Sequence, residues 1–317
     1  MSEKKTGGII LATGCDSQGR RIDPLTELGK TTIVKRIVQT YQLASISPII
    51  VITGYDGLSV ERHLAIWGVM FFRMDEDAKN GDASGLRSAL GYICEKCSQV
   101  VVTPVEYPMF YTQTIRELSA AKGEVRAPFV DQTLGWPMLM ETSALPKLME
   151  QGEQDSLEGF FHRCRTFAQK IEFADEGCIC NMIDREEDCT HLLKQHNEQM
   201  LHPYVRVDID CPTKVMDPRI KMLLLQVRET GSLKTACSRI SLSIGKAWEM
   251  INVLEEALEY PVVERRQGGK RGGSTKLTEE GKFCDNMAYV NSATYLQHFC
   301  SLTSLSQEDM QTKIVSG

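Results

Sequence analysis

Residues 7–30 read GGIILATGCDSQGRRIDPLTELGK. The opening, GGIILAT, is apolar, β-branched and uncharged, the pattern of a strand buried on both faces. It runs into the small-residue loop Gly14-Cys15-Asp16-Ser17. A buried strand followed by such a loop is the usual way an α/β protein brings its backbone close to a phosphate. The next part of such a loop ordinarily supplies fixed positive charge. Here it offers Gln18 and Asp23, with Arg20 and Arg21 between them.

Working outward, the segments GIILAT, PIIVIT, VMFFRM, QVVVTPV and KIEFAD are short and rich in Val, Ile and Phe. Amphipathic stretches near 31–45, 57–66, 84–96, 110–121 and 157–168 separate them. This alternation over 7–197 predicts a largely parallel sheet with helices on both faces. Ligands of such sheets sit outside the carboxyl ends of the strands. Three loops of chemical interest fall at such ends: 13–23, 103–108, and the acidic NMIDREED at 181–188. NGDASG at 80–85 is a further small, polar segment.

The chain has 317 residues, enough for about two domains. No apolar run reaches the ~20 residues of a membrane helix, and MSEKKTGG lacks a signal-peptide core. No membrane association and a cytoplasmic location are expected. The odd count of 11 cysteines predicts reduced thiols rather than a disulfide framework. Cys94-x-x-Cys97 and Cys178-x-Cys180 could be imagined as a zinc site, but the second pair is poorly spaced and no other pair shows ligand spacing, so no zinc is expected.

The net charge of −6 hides an asymmetry. Residues 214–282 hold 13 Lys or Arg against 9 Asp or Glu, a surplus of +4, which leaves −10 on the rest. A basic module on an acidic body is expected to meet a polyanion. Within it, Ile220, Leu223, Leu224 and Val227 form one helix face. Gly231-Ser232 ends that helix and caps the next, which repeats the face with Leu233, Ala236, Cys237 and Ile240. Ser243 is the expected N-cap of a third helix burying Ala247, Ile251, Leu254 and Leu258. Two short helices, a tight turn and a longer helix fit a helix-turn-helix, although a plain helical bundle has the same periodicity. VVERRQGGKRGGSTKLT then reads as a hairpin whose glycine-rich tip carries Arg265, Arg266, Lys270 and Arg271. Four cations on a flexible tip suit a phosphate backbone rather than a packed core, which favours a winged helix-turn-helix.

The residues also carry two resemblances. GSLKTACSRISLSIGKAWEMINVLEEAL with the VER and GGK-x-GG wing and the LT-x-x-G end resembles the DNA-binding domain of the molybdate-responsive ModE regulators, relatives of LysR-type winged helices. It runs over roughly 203–285. The resemblance implies that the helix opening at Ser243 enters the major groove, with Ile244, Gly245, Lys246 and Glu249 facing bases and Trp248 in the core. It also implies a homodimer. The first half, over nearly all of 7–197, resembles the MobA-like NTP transferases, which move a nucleotidyl group from an NTP to molybdopterin with magnesium. ILATG at 10–14, IIVITGY at 49–55, TPVEYP at 103–108, Gly135-Trp136-Pro137 and MIDREED at 182–188 match that family's elements in order.

That resemblance implies a Rossmann-like, GT-A-like mixed sheet. It also implies a CTP or GTP site at Leu11, Ala12, Thr13, Gly14, Arg20 and Arg21, with magnesium held by Glu106 and Asp184. The family's loop serine, arginine and lysine fall on Asp16, Gln18 and Asp23, and its Gly-His-Pro histidine on Trp136. The expected organisation is a transferase-fold domain over 1–198, a winged-helix domain over 199–290 and a tail over 291–317. Two readings follow. One is a transcriptional regulator linked to molybdenum cofactor metabolism, whose degenerate transferase domain binds a nucleotide or molybdopterin. The other is an active magnesium-dependent nucleotidyltransferase with an accessory DNA-binding domain.

Overall fold

The computed structural model describes residues 5–16, 20–54, 56–74, 84–149, 157–183, 186–200, 209–211, 213–216, 218–266 and 274–282. The chain divides into two compact units, Met1–Met200 and Leu201–Gly317.

The first unit is built on β1 (Thr6–Ala12), the strand of the opening stretch. The chain continues through β2 (Glu27–Leu28), β3 (Thr31–Thr32), α1 (Ile33–Leu43), β4 (Ile49–Thr53), α2 (Gly57–Leu64), β5 (Met70–Arg73), α3 (Ser84–Cys94) and β6 (Gln99–Pro104). It then forms α4 (Thr112–Ala120), β7 (Val125–Val130), β8 (Thr133–Leu134), β9 (Met138–Glu141), α5 (Leu145–Leu148), α6 (Leu157–Phe167), β10 (Gln169–Glu172), α7 (Glu186–His191) and α8 (Leu193–Gln199). The sheet order is β10-β7-β9-β6-β1-β4-β5, with β8 appended to β7.

β1 lies at the centre, parallel to both β4 and β6, with Ile9 opposite Ile50 and Val102. β9 runs antiparallel to β6 and to β7, so the sheet is mixed. The sequence expectation of a largely parallel sheet therefore holds: β7 and β10 pair in parallel and run the same way as β6-β1-β4-β5, while among the described strands of this sheet β9 and the short β8 run the other way. β7 and β9 escape the reading because VRAPFV carries an arginine and a proline inside the strand, and MLME is short.

Helices cover both faces, and two adjacent glycines show why. Successive strand residues face opposite sides. A Cβ at Gly7 would sit 3.0 Å from Ile93 of α3, and one at Gly8 would sit 2.6 Å from the Tyr41 ring of α1. Both helices thus press against the backbone of β1. Tyr41 is fully buried, and its hydroxyl meets Thr103 Oγ1 at 2.6 Å. α1 is tied to α8 by a second buried polar group. Arg36 donates to Leu28 O, to Asn197 Oδ1 and to His196 Nδ1, each within 2.9 Å. Burial and the Arg36 charge hold the His196 imidazole down at about 3, so it is neutral at physiological pH.

Cys180 and Cys189 form a disulfide, with Cα atoms 5.7 Å apart. This corrects the expectation of reduced thiols throughout. The two residues are buried side by side across the 181–188 loop, a proximity that spacing in the sequence does not reveal.

The second unit contains the ribbon β11 (Ile209–Cys211) and β12 (Thr213–Met216), then α9 (Pro218–Thr230), α10 (Leu233–Arg239) and α11 (Ile244–Leu258). A hairpin of β13 (Val263–Arg266) and β14 (Ser274–Leu277) follows. Leu223, Leu224, Val227, Ala236, Cys237, Ala247, Ile251 and Leu254 close the core, and Val262, Val263 and Leu277 seat the hairpin on it. Ser232 and Ser243 both cap as expected, accepting from the N–H groups of Thr235 and Lys246. Each such cap stabilises its helix by about 1 kcal/mol. This is the element order of a winged helix-turn-helix. The expected tail over 291–317 and residues 267–273 of the hairpin tip lie outside the described residues. Among the described residues no helix is long and apolar enough to cross a membrane.

Candidate functional site

In the first unit the parallel trio β6-β1-β4 brings three loops to one end of the sheet. The loop after β1 starts at Thr13, that after β4 at Gly54, and that after β6 at Val105. They meet closely: a Cβ at Gly54 would lie 2.5 Å from Thr13 O, so only glycine lets the two loops touch. Gly14 takes φ +83°, the left-handed region glycine favours, which turns the chain out of β1.

The loop folds back on itself. Ile22 N donates to Gly14 O at 3.1 Å, Asp16 N donates to Arg20 O at 2.9 Å, and Cys15 bridges Arg21. The Asp16 carboxylate then takes Arg20 twice: the backbone N–H at 2.8 Å and the guanidinium Nε at 2.7 Å. Asp16 is only 4% exposed. The arginine nearest the lost cation positions is thus held by a carboxylate of its own loop. Asp23, at the family's lysine position, is exposed and accepts the N–H of Leu25 at 2.8 Å. Gln18 lies outside the described residues.

Glu106 closes the site from the β6 side. It is 5% exposed, and burial, with the nearby Asp16 charge, raises its carboxyl to about 7. Its own backbone N–H and the charges of Arg20 and Arg165 pull the other way. Met182 N donates to Glu106 O at 2.8 Å, which fastens the 181–183 turn to this loop. Asp184, the second expected metal ligand, lies outside the described residues. Among the described residues no group of three or more His, Cys, Asp or Glu side chains could hold a metal. Glu106 nonetheless has the chemistry of a hard-cation ligand, because a cation beside a buried carboxyl would stabilise its charged form.

The Gly135-Trp136-Pro137 element faces inward. Trp136 is 2% exposed and meets Phe161 edge-on at 5.1 Å. The Trp136 backbone N–H donates to Cys178 O at 2.8 Å, and a Cβ at Gly135 would lie 2.6 Å from that carbonyl. The tryptophan fills the core where the resemblance has a histidine. Arg165, one turn beyond Phe161 on α6, is exposed, and the sequence reading passed over it. It belongs to no motif; only the i, i+4 spacing from Phe161 points to its position.

The second unit presents a different surface. Ser243, Ile244, Lys246 and Glu249 share the exposed start of α11, and Ile244 is 47% exposed. Lys246 Nζ pairs with Glu249 Oε1 at 2.7 Å. The Arg265 guanidinium lies 3.6 Å over the Trp248 ring. Trp248, expected in the core, is only half-buried. Glu255 accepts from the N–H groups of Val262 and Val263, and Thr275 N donates to Gly231 O, so both hairpin strands are fixed at their base. Arg266 belongs to β13; its side chain, and Lys270 and Arg271, lie outside the described residues.

Comparison with known proteins gives two matches that do not overlap in kind. A family model described as "MobA-like NTP transferase domain" matches residues 8–168, just over half of the chain. Among curated proteins, "Molybdenum transport protein ModE" of Azotobacter vinelandii is 37% identical over 76 residues, 24% of this chain and 28% of that one. "Transcriptional regulator ModE" of Yersinia pestis is 39% identical over 66 residues, 21% and 25% respectively. The chain therefore spans about a quarter of the length of these relatives. Among solved structures, a nucleotidyl transferase from Methanothermobacter thermautotroptrophicus superposes with a TM-score of 0.48 at 15% identity, covering 61% of this chain and 100% of that one.

Proposed function

This chain belongs to the MobA-like NTP transferase domain family through residues 8–168, and on that basis we propose that it is a transcriptional regulator whose transferase-fold domain binds a ligand instead of catalysing transfer. The ligand is a nucleotide, CTP or GTP, or molybdopterin. The second unit binds DNA, and the ModE relatives connect the regulated process to molybdenum cofactor metabolism.

The observation that carries this reading is the Arg20–Asp16 pair. Nucleotidyl transfer requires charge neutralisation at the phosphates as the transition state forms. In this loop the arginine nearest those positions is already bound by a buried carboxylate, and the lysine position carries Asp23. Leu11, Ala12, Thr13 and Gly14 still allow a close backbone approach, so the loop is suited to binding a phosphate without driving its transfer. Arg21 adds positive charge at the rim. Magnesium held by Glu106 and Asp184 would supply the charge that the loop lacks.

On the second unit, Ser243, Ile244, Lys246 and Glu249 face the bases, and Arg265, Arg266, Lys270 and Arg271 face the phosphates. A homodimer on a near-palindromic site, in the cytoplasm, fits this arrangement. Active transfer remains the second reading, because Glu106 keeps the acid and Arg165 brings a cation near it.

Titrating CTP or GTP with magnesium into the complex of the full chain with duplex DNA tests the regulator reading. The expected result is a change in DNA affinity of about 5- to 150-fold, the usual size of coupling between sites. Nucleotide that binds without moving DNA affinity would overturn the sensor role, and so would nucleotide that fails to bind.

A further inference from the structure

Besides the Glu255 tie at its base, the hairpin meets the recognition helix of the second unit through a side-chain contact that the sequence does not reveal. Trp248 is a full turn along α11 from Ile244, on the same face, and the Arg265 guanidinium of β13 stacks on its ring at 3.6 Å. A guanidinium stacked through its plane keeps its N–H groups at the edge, pointing outward. Among the described residues the Arg265 side chain makes no ion pair and no hydrogen bond. It differs in this from Lys246, whose amine is held by Glu249.

We propose that Trp248 is a positioning residue of the DNA-binding surface: its ring fixes the Arg265 guanidinium flat, with its edge donors presented to a backbone phosphate beside the groove that α11 enters. The inference rests on the DNA-binding reading and adds a residue assigned to the core by sequence. The base of the hairpin supports it. Glu255 ties Val262 and Val263 to α11, and Thr275 N ties the returning strand to Gly231 O. With both strands anchored, Arg265 has little freedom along the strand, and the aromatic face removes most of its remaining rotamer freedom. A phosphate then meets a preorganised donor pair and does not have to order a long side chain. The role requires the ring face and not merely apolar bulk, because attraction between cation and ring comes from the aromatic quadrupole.

The test uses the full chain with a labelled duplex enriched from a random pool on the wild-type protein, and with a scrambled duplex. Binding is measured by fluorescence anisotropy across a salt series. Trp248→Phe keeps a ring and is expected to bind both duplexes within about threefold of wild type. Trp248→Leu keeps bulk alone; it is expected to bind both about tenfold more weakly, with a salt slope smaller by about one, as for the loss of one phosphate contact. Arg265→Ala should match Trp248→Leu, and combining the two should add nothing further. Arg265→Lys should not rescue, because an ammonium has no planar fork. Thermal melts of each variant separate lost binding from lost fold. If Trp248→Leu unfolds, the comparison of Trp248→Phe with Arg265→Ala and Arg265→Lys carries the decision. Equal binding by the Phe and Leu variants overturns the role of the ring, as does full binding by Arg265→Lys. If the wild-type chain binds neither duplex, the DNA-binding reading itself falls.

Discussion

Two arginines, one in each unit, show how differently the same cation can be held. Arg20 lies in the loop after the central strand and is clasped by Asp16 through both its backbone and its guanidinium. Arg265 lies on the hairpin and rests on an uncharged ring. The first cation is neutralised within its own loop; the second is oriented with its charge intact. A count of basic residues in either segment would treat the two alike. What decides phosphate chemistry is the partner already present, because a carboxylate cancels the field that a phosphate would feel, whereas an aromatic face does not.

The largest test of this contrast is at the hairpin tip. Replacing Lys270 and Arg271 together with alanine should weaken DNA binding about 10- to 100-fold at moderate salt, for every sequence, and lower the salt slope by about two. Anisotropy on two unrelated duplexes checks it, and undiminished binding would remove the tip from the interface. Next in size is the Cys180–Cys189 disulfide, which belongs to the first unit alone. Cys189→Ala should lower the stability of that unit by about 2–3 kcal/mol, the entropy of closing so short a loop. The second unit's unfolding transition should not move, which calorimetry would show.

Releasing Arg20 is a subtler change. Asp16→Ser removes the carboxylate that holds it, and nucleotide binding measured by titration calorimetry is expected to tighten about tenfold, or ~1.4 kcal/mol. Unchanged affinity would mean that the pair does not limit the site. The last effect, spread over a pH window and not read at one pH, concerns His196. Its folded pKa, about 3, lies below the ordinary imidazole value, so only the unfolded chain binds the proton between about 3 and 6.5. Stability of the first unit should therefore fall as pH drops through that window, by at most about 1.4 kcal/mol per pH unit from this group. His196→Gln should flatten that slope in acid melts while leaving the second unit's curve alone.

How legible each region was in the sequence follows from the same physics. β1, β4, β5, β6 and the helices between them are buried or amphipathic runs with clear periods, and the capping serines 232 and 243 act as local chemistry dictates. β7 and β9 were hidden because the arginine and proline of β7 break its apolar run and the short β9 is recognisable only through its partners β6 and β7. Leu11 to Gly14 and Glu106 could be marked from motifs. The Asp16–Arg20 clasp could not, since a four-residue separation in a loop fixes no geometry. The contact between Arg265 and Trp248, seventeen positions apart on different elements, was invisible for the same reason. Tertiary placement turned one candidate phosphate ligand into a buffered pair and left the tryptophan packed on the core with one ring face under Arg265.

The most direct test of binding without transfer is pyrophosphate release. The full chain is incubated with magnesium, CTP or GTP, and molybdopterin, and pyrophosphate is followed over time. With Arg20 held by Asp16 and Asp23 at the lysine position, release should stay at the uncatalysed background even where calorimetry shows the nucleotide bound. Turnover at about 1 per second or faster, within the ordinary enzymatic range, would contradict the account and make the first unit a working transferase.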